Sequence, residues 1–196
     1  NFKPFYFSTD LNFNYISQKK IFQSESLLID LLDSELLNNP NLNASINIKI
    51  DKIDKFEYLQ DFVSKIHLGD GRILMKNFNT QWNNSVLIES NEIEFINDID
   101  GKKLVGEIIF NFEDIEKFFR YFQIKRNYRD VFETIKLDFV YDLTLDKLIM
   151  NNLRIDNKSS KKIDKFLNQY NKSEINSFNK VTIRNFIKNF FLVYAG

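Results

Sequence analysis

The chain has 196 residues, which is enough to bury a hydrophobic core and indicates one domain or at most two small ones. Its 27 basic and 27 acidic side chains give a formal net charge of zero, which argues against a broad cationic surface for nucleic acid or anionic membranes. The absence of cysteine excludes disulfides, thiolate nucleophiles and cysteine-based zinc sites, and it leaves the redox compartment undetermined.

The first third of the chain predicts two strands separated by a helix. Polar and apolar residues alternate over 9–15, which predicts a strand that buries Leu11, Phe13 and Tyr15 on one side. Leucines at helical spacing predict a helix over 26–38, which ends before Pro40. Isoleucines alternate with polar residues over 46–50, and this alternation predicts the second strand.

The middle of the chain predicts four consecutive strands in an antiparallel meander. Segments 63–68 and 72–78 flank a Gly-Asp-Gly turn. Segments 86–95 and 103–112 flank a turn that ends in Asp-Gly, which is a strong hairpin signal.

The last part of the chain predicts three helices and a strand pair. A helix over 113–125 begins with acidic residues at its positive end and turns an aromatic face inward. A long alternating strand over 135–145 pairs with 148–155. Two further helices are predicted over 161–170 and 181–194.

The terminal helix carries an apolar stripe at helical spacing. The stripe consists of Ile183, Phe186, Ile187, Phe190, Phe191 and Tyr194. Such a stripe must lie against an apolar surface, which is the domain's own sheet, a partner protein or a membrane surface. Taken together, the elements predict an α+β fold: a predominantly antiparallel, curved β-sheet with several short helices and a C-terminal amphipathic helix, in one domain over 1–196.

The sequence contains no recognisable catalytic or metal-binding motif. His67 is the only histidine and has no serine or cysteine motif to form a triad with. Residues Asp98, Asp100, Gly101 and Glu107 partly match a calcium loop, but the flanking pattern is that of strands, so we interpret the segment as a hairpin turn. A hydrolytic site requires carboxylates that converge in a cleft. The neighbouring carboxylates of this sequence instead lie in predicted turns, on strand faces or at a helix start. We therefore predict a non-enzymatic protein without a cofactor or a metal.

Basic side chains near two helices offer weak signals for anionic partners. Lys125, Arg126 and Arg129 alternate with aromatic residues in a pattern that also occurs in single-strand binders, but the neutral chain disfavours nucleic acid. Four lysines over 158–165 would suit anionic lipid headgroups, although such a run is usually a solvated face.

Several segments resemble the C-terminal region of bacterial AsmA-like envelope proteins. They are Arg184-Asn185-Phe186 and Phe190-Phe191-x-x-Tyr194-Ala195-Gly196 in the terminal helix, the alternating strand Leu42 to Ile50, the glycine-turned hairpin Ile66 to Met75, and the strand Val105 to Phe110. The resemblance covers roughly residues 40 to 196.

The resemblance implies the C-terminal part of a longer protein that is anchored in the inner membrane and crosses the periplasm as a curved sheet with an apolar groove. Its implied role is glycerophospholipid transport or outer-membrane assembly, with phospholipid, a membrane surface or an envelope protein as partners. The candidate groove residues are Ile46, Ile48, Ile50, Leu137, Phe139, Tyr141 and Leu143. The alternative is that these residues form an ordinary closed core in a capping or protein-interaction module.

Overall fold

The computed structural model describes residues 5–16, 42–53, 58–69, 72–98, 101–173 and 180–196. Eight strands form one open, curved sheet in which every strand lies beside its neighbour in sequence. β1 is parallel to β2, and every other neighbouring pair is antiparallel. The strands are β1 (Phe5–Phe13), β2 (Leu42–Lys52), β3 (Leu59–Gly69), β4 (Arg72–Trp82), β5 (Val86–Asp98), β6 (Gly101–Phe112), β7 (Thr134–Asp142) and β8 (Lys147–Ile155). The predicted α+β class with a curved, mostly antiparallel sheet is confirmed.

Three α-helices occur in the described residues, together with a short 3-10 turn at Arg126–Tyr128. The helices are α1 (Ile115–Phe122), α2 (Lys161–Asn171) and α3 (Lys180–Tyr194). The predicted helices over 161–170 and 181–194 are confirmed within one residue at each end. The helix predicted over 26–38 lies outside the described residues.

The first helix is shorter than the predicted range of 113–125 because side-chain and backbone geometry define both of its ends. The carboxylate of Asp114 accepts a hydrogen bond of 2.8 Å from the Lys117 N–H, so Asp114 is the N-cap. At the other end Gln123 adopts a left-handed conformation with φ of 56°, which ends the helix. The predicted inward aromatic face is confirmed, since Phe119 and Phe122 are buried.

The strand predicted over 135–145 ends earlier, at Asp142. The Asp142 carboxylate accepts hydrogen bonds from the backbone N–H groups of Thr144 (2.9 Å) and Leu145 (2.8 Å). These bonds give the chain a local turn in place of further strand pairing. The predicted pairing of this strand with the next one and the four-strand meander before it are both confirmed.

The strand register gives the sheet one apolar face and one polar face. Directly paired residues point to the same side of a sheet. One row of such pairs crosses all eight strands: Thr9, Ile46, Ile66, Met75, Ile93, Gly106, Phe139 and Met150. We call the side on which this row lies the apolar face.

The opposite side of the sheet carries cross-strand ion pairs and is the polar face. Arg72 Nε lies 2.9 Å from Glu94 Oε1 between β4 and β5. Between β6 and β8, Arg154 Nη2 lies 2.6 Å from Glu107 Oε2. These side chains are partly exposed, so water and salt screen the ion pairs and each pair adds little stability.

Irregularities in the strand pairing interrupt the ladder at several places. Register shifts occur between β3 and β4, between β5 and β6, and between β7 and β8. Asp61, Asn77 and Asn152 have φ values of 54°, 51° and 50° within strands, a conformation that Asp and Asn tolerate better than most residues. Such bulges increase local twist and bend, which accounts for the curvature of the sheet.

The largest core lies between the helices and one end of the apolar face. α2 packs on β8 and on α3, and the aromatic side chains of α1 and α3 meet between them. Phe119 and Phe191 are almost fully buried at its centre, with their ring centroids 5.2 Å apart and nearly perpendicular. We call the buried residues of this cluster the helical core: Phe119, Phe122, Ile124, Phe132, Leu137, Met150, Leu153, Ile155, Ile163, Leu167, Phe190 and Phe191.

Candidate functional site

A second, smaller cluster of buried side chains lies on the apolar face away from the helical core. It contains Ala44, Ile66, Leu68, Ile73 and Phe95, which come from four strands. Ile46, Ile48, Met75, Leu104 and Leu143 pack around it and are only partly buried. We call these ten residues the sheet cluster.

Between the two clusters, the apolar face remains partly accessible to solvent. The sheet cluster lies near one end of strands β4, β5 and β6. The other end of these strands carries Trp82, Val86 and Phe112. The intervening large apolar residues are half-buried: Phe62, Phe78, Ile88, Ile108 and Phe110. We call these five residues the accessible strip, and they are the candidate site.

Aromatic and aliphatic side chains give the strip its surface. The rings of Phe62 and Phe78 lie edge to face with centroids 5.4 Å apart. Ile88 pairs directly with Phe110 across β5 and β6, so their side chains project on the same side. The strip therefore offers a non-directional apolar surface, which suits hydrocarbon rather than a polar substrate.

Three buried hydroxyl residues lie on the apolar face, and each of them donates a hydrogen bond to a backbone carbonyl beside an irregularity. Thr80 Oγ1 donates to the Gln60 carbonyl at 2.9 Å, next to the bulged Asp61. Ser64 Oγ donates to the Lys76 carbonyl at 3.4 Å, next to Asn77. Ser90 Oγ donates to the Glu92 carbonyl at 3.3 Å, where β5 shifts register against β6. These hydroxyls are buried and hydrogen-bonded to the backbone, so the surface of the strip remains apolar.

The predicted groove residues do not form one surface. Ile46, Ile48 and Leu143 contact the sheet cluster, whereas Leu137 belongs to the helical core. Ile50 and Phe139 are only 3% and 7% exposed, so neither presents a surface to a ligand in this conformation.

Tyr141 is the one predicted groove residue with a polar role. Its hydroxyl donates a hydrogen bond to Asp146 Oδ1 in the turn between β7 and β8. Burial of the ring, followed by the hydrogen bond and the charge of Asp146, raises the pKa of Tyr141 above its usual value of 10.0. The tyrosine is therefore neutral near neutral pH and joins the end of the apolar face to the turn.

The apolar stripe of the terminal helix contacts the helical core of the same domain. Phe190 and Phe191 are buried, and Phe186, Ile187 and Tyr194 pack against the same cluster. Ile183 is half-buried. Of the three surfaces considered for this stripe, the described structure therefore places five of its six residues on the domain's own core.

Most residues of the accessible strip were missed at the sequence level. In β6 the even-numbered residues Leu104, Ile108, Phe110 and Phe112 are apolar and share one face, and this signal was available. The continuation into β4 and β5 was obscured because bulges change the phase of the alternation at Asn77 and near Ser90.

The strand predicted over 9–15 corresponds to β1, which ends at Phe13, and its predicted burial is wrong. Leu11, Phe13 and Tyr15 are 38%, 37% and 61% exposed. Alternation predicts which residues share a side of a strand, but it cannot tell whether another layer covers that side.

The acidic residues and the histidine singled out in the sequence lie apart in the part of the chain that the structure describes. No group of three or more His, Asp or Glu side chains there is arranged to hold a metal ion. Glu107, the last residue of the calcium-like pattern, instead bonds Arg154, and Asp100 lies outside the described residues. His67 is half-buried on the polar face, paired with Ser45 and Leu74.

Comparison of the chain with models of protein families, with curated proteins and with solved structures found no match. Within the described residues, no helix combines the length and the apolar character that crossing a bilayer requires.

Proposed function

We propose that this chain is a non-enzymatic lipid-binding domain that holds acyl chains against the accessible strip. In this proposal it is the C-terminal part of an AsmA-like envelope protein, lies in the periplasm within a protein anchored in the inner membrane, and serves phospholipid transport or outer-membrane biogenesis. The family and the location rest on the sequence resemblance, and the lipid-binding role rests on the face described above.

The observation that supports lipid binding most strongly is a half-buried apolar strip on a sheet whose other face is charged. An acyl chain needs apolar surface without specific hydrogen bonds, and each methylene it buries contributes about 0.8 kcal/mol. The strip crosses four strands, from Phe62 in β3 to Phe110 in β6. The ion pairs of the polar face, such as Arg72 with Glu94, are partly exposed, so that side offers an acyl chain a charged surface.

The buried sheet cluster favours a second candidate function, a closed capping or protein-interaction module without lipid. Ile66 and Ile73 are each only 2% exposed, as expected of a closed core. In this alternative the accessible strip is also covered, as the sheet cluster is, and the domain binds its partner through its outer surfaces.

The two functions are distinguished by native mass spectrometry with lipid extraction, on the chain purified gently from a bacterial host. Ile108 and Ile109 are half-buried neighbours on β6 that pair with Leu137 and Lys136, so they point to opposite faces. Ile108→Asn places an amide on the accessible strip, and Ile109→Asn places the same amide on the polar face. These positions suit the test better than Phe139, whose burial makes a polar substitution a folding defect.

Lipid binding predicts co-purifying phospholipid at a defined stoichiometry, lost in Ile108→Asn and retained in Ile109→Asn, with both variants folded by circular dichroism. A lipid-free, compact wild-type chain that also takes up no phospholipid from vesicles would contradict the proposal and support the closed module. An equal loss of bound lipid in both folded variants would indicate that the lipid binds outside the accessible strip.

A further inference from the structure

Among the described residues no strand pairs with the outer edge of β1, and exposed aromatic side chains project from the strand beside that edge. β1 is the first strand of the described sheet and pairs with β2 on one side. All its residues but Thr9 are exposed, and Phe5, Tyr6 and Phe7 are 65%, 67% and 45% exposed. An edge strand offers a row of backbone N–H and C=O groups to another strand, and proteins usually block such an edge when it is not used.

The opposite edge of the same sheet is blocked in that way. The side-chain amide of Asn171 in α2 accepts a hydrogen bond from the Met150 N–H at 3.0 Å and donates one to the Met150 carbonyl at 2.8 Å. α2 packs along β8 as well. The two edges therefore differ: β8 is covered by a helix, whereas β1 exposes apolar residues.

The sequence of β1 is complementary to itself when reversed about Thr9. In an antiparallel pair centred on Thr9, Phe5 faces Phe13, and Phe7 faces Leu11. On the other side of the strand Tyr6 faces Asn12, and Ser8 faces Asp10. Apolar residues then meet apolar residues, and the only charged residue of the strand faces a hydroxyl.

From this pattern we propose that β1 pairs antiparallel with β1 of a second copy of the chain, with Thr9 facing Thr9 on the two-fold axis. This register keeps all nine residues paired and joins the two apolar faces on one side of a continuous sheet. Centring the pair on Asp10 instead would place two carboxylates face to face, which is unfavourable. Centring it between residues would turn the apolar faces to opposite sides.

A single introduced cysteine tests this register, because the chain contains none of its own. Directly opposed residues in an antiparallel pair have Cα atoms about 4.5–5.5 Å apart, within the range that a disulfide needs. Thr9→Cys should therefore form a disulfide-linked dimer on mild oxidation. Ser8→Cys is the matched control, because its two copies would lie about 8 Å apart and could not be bridged.

Charge substitutions at the axis test the same contact without a covalent bond. Thr9→Lys and Thr9→Asp each place like charges face to face, so each should weaken dimerisation at least about tenfold in sedimentation velocity. Mixing the two variants should restore a one-to-one dimer, which also shows that both are folded. Ser8→Lys should retain the dimer, since it would face Asp10 of the second copy.

These experiments test the proposed dimer independently of lipid binding. A dimer in the wild type, cross-linking of the Thr9→Cys variant but not of the Ser8→Cys variant, and rescue in the mixture would support it. A wild-type chain that stays monomeric over the accessible concentration range would overturn it and leave the edge to a strand from another protein. A dimer that is unaffected by Thr9→Lys, or that cross-links equally in both cysteine variants, would also overturn it.

Discussion

Asn171 of α2 and Met150 of β8 are joined by two hydrogen bonds that reproduce the pairing of a neighbouring strand. One side-chain amide supplies both the acceptor and the donor that the Met150 peptide groups require. Met150 is only 3% exposed, so little water can replace these bonds. A single side chain thus satisfies the outward-facing peptide groups of Met150 and attaches α2 to β8.

Replacing Asn171 should destabilise the domain more than replacing another asparagine of the same helix. Asn171→Ala leaves the Met150 N–H and carbonyl without their partners, and we expect a loss of about 1–3 kcal/mol in the free energy of unfolding. Asn168→Ala, at an exposed position of α2, is the control and should change stability by less than about 0.5 kcal/mol. Urea unfolding of both variants measures the difference, and equal losses would contradict the bridging role.

Neighbouring residues of α3 should differ sharply in their contribution to stability. Phe191 is 1% exposed and stacks on Phe132 with ring centroids 5.9 Å apart, whereas Leu192 is 46% exposed. Phe191→Ala should cost about 3–5 kcal/mol because it leaves a cavity in the helical core. Leu192→Ala should cost less than about 0.5 kcal/mol. Thermal unfolding followed by circular dichroism compares them, and a large loss in Leu192→Ala would indicate that α3 presents its other side to the domain.

The ion pair between Arg154 and Glu107 should contribute little to stability despite its short distance. The two side chains are 40% and 36% exposed, so water and salt screen their attraction. Glu107→Gln should lower the free energy of unfolding by less than about 1 kcal/mol, and the difference from wild type should shrink as salt is added. A loss that is large and insensitive to salt would show that the polar face is buried in solution.

Tyr141 should make the folded domain lose stability in alkaline solution. Burial, helped by Asp146, holds the pKa of Tyr141 above its usual value of 10.0 in the folded state. Below about pH 10 both the folded and unfolded forms keep the proton, so the raised pKa adds no pH dependence there. Above about pH 10 the unfolded chain releases the proton first, and stability falls as the pH rises.

Tyr141→Phe provides the matched comparison for this pH dependence. The variant lacks the ionisable group, so its stability should fall less steeply between about pH 10 and pH 11. The remaining slope includes Tyr170 and Tyr194, whose pKa values are also raised, in each case chiefly by burial. Urea midpoints measured at several pH values test this, and parallel curves for the two proteins would contradict the assignment.

The order and type of the described elements could be predicted from sequence because local signals agree with the fold. The hairpin turns, the Asp114 cap and the spacing of apolar residues in α3 are all local features. The early end of β7 was harder to predict, since it depends on the Asp142 side chain bonding backbone two and three residues later.

The candidate site was only partly predictable, because its accessibility is a property of tertiary packing. Ile48 and Phe139 were predicted to line a groove, and the register puts both on the side of the accessible strip, but alternation could not show that Phe139 is buried. Leu137 has the same pattern, yet it lies in the helical core. The helices determine which part of an apolar face remains accessible, because they cover the part that they cross. The position of the helices depends on residues throughout the chain, so the pattern within one strand does not predict it.

The bulges at Asp61, Asn77 and Asn152 also determine which strand alignment the sheet can adopt. Alternation alone does not distinguish the native alignment from one displaced by two residues, because both keep the same residues on the apolar face. At Asp61 and Asn152, however, a strand displaced by two residues would place an apolar residue or an arginine at the positive-φ position. Displacement of β3 against β4 would also separate the Thr80 hydroxyl from its carbonyl partner. The irregular positions therefore give this meander a unique alignment that its regular pattern cannot specify.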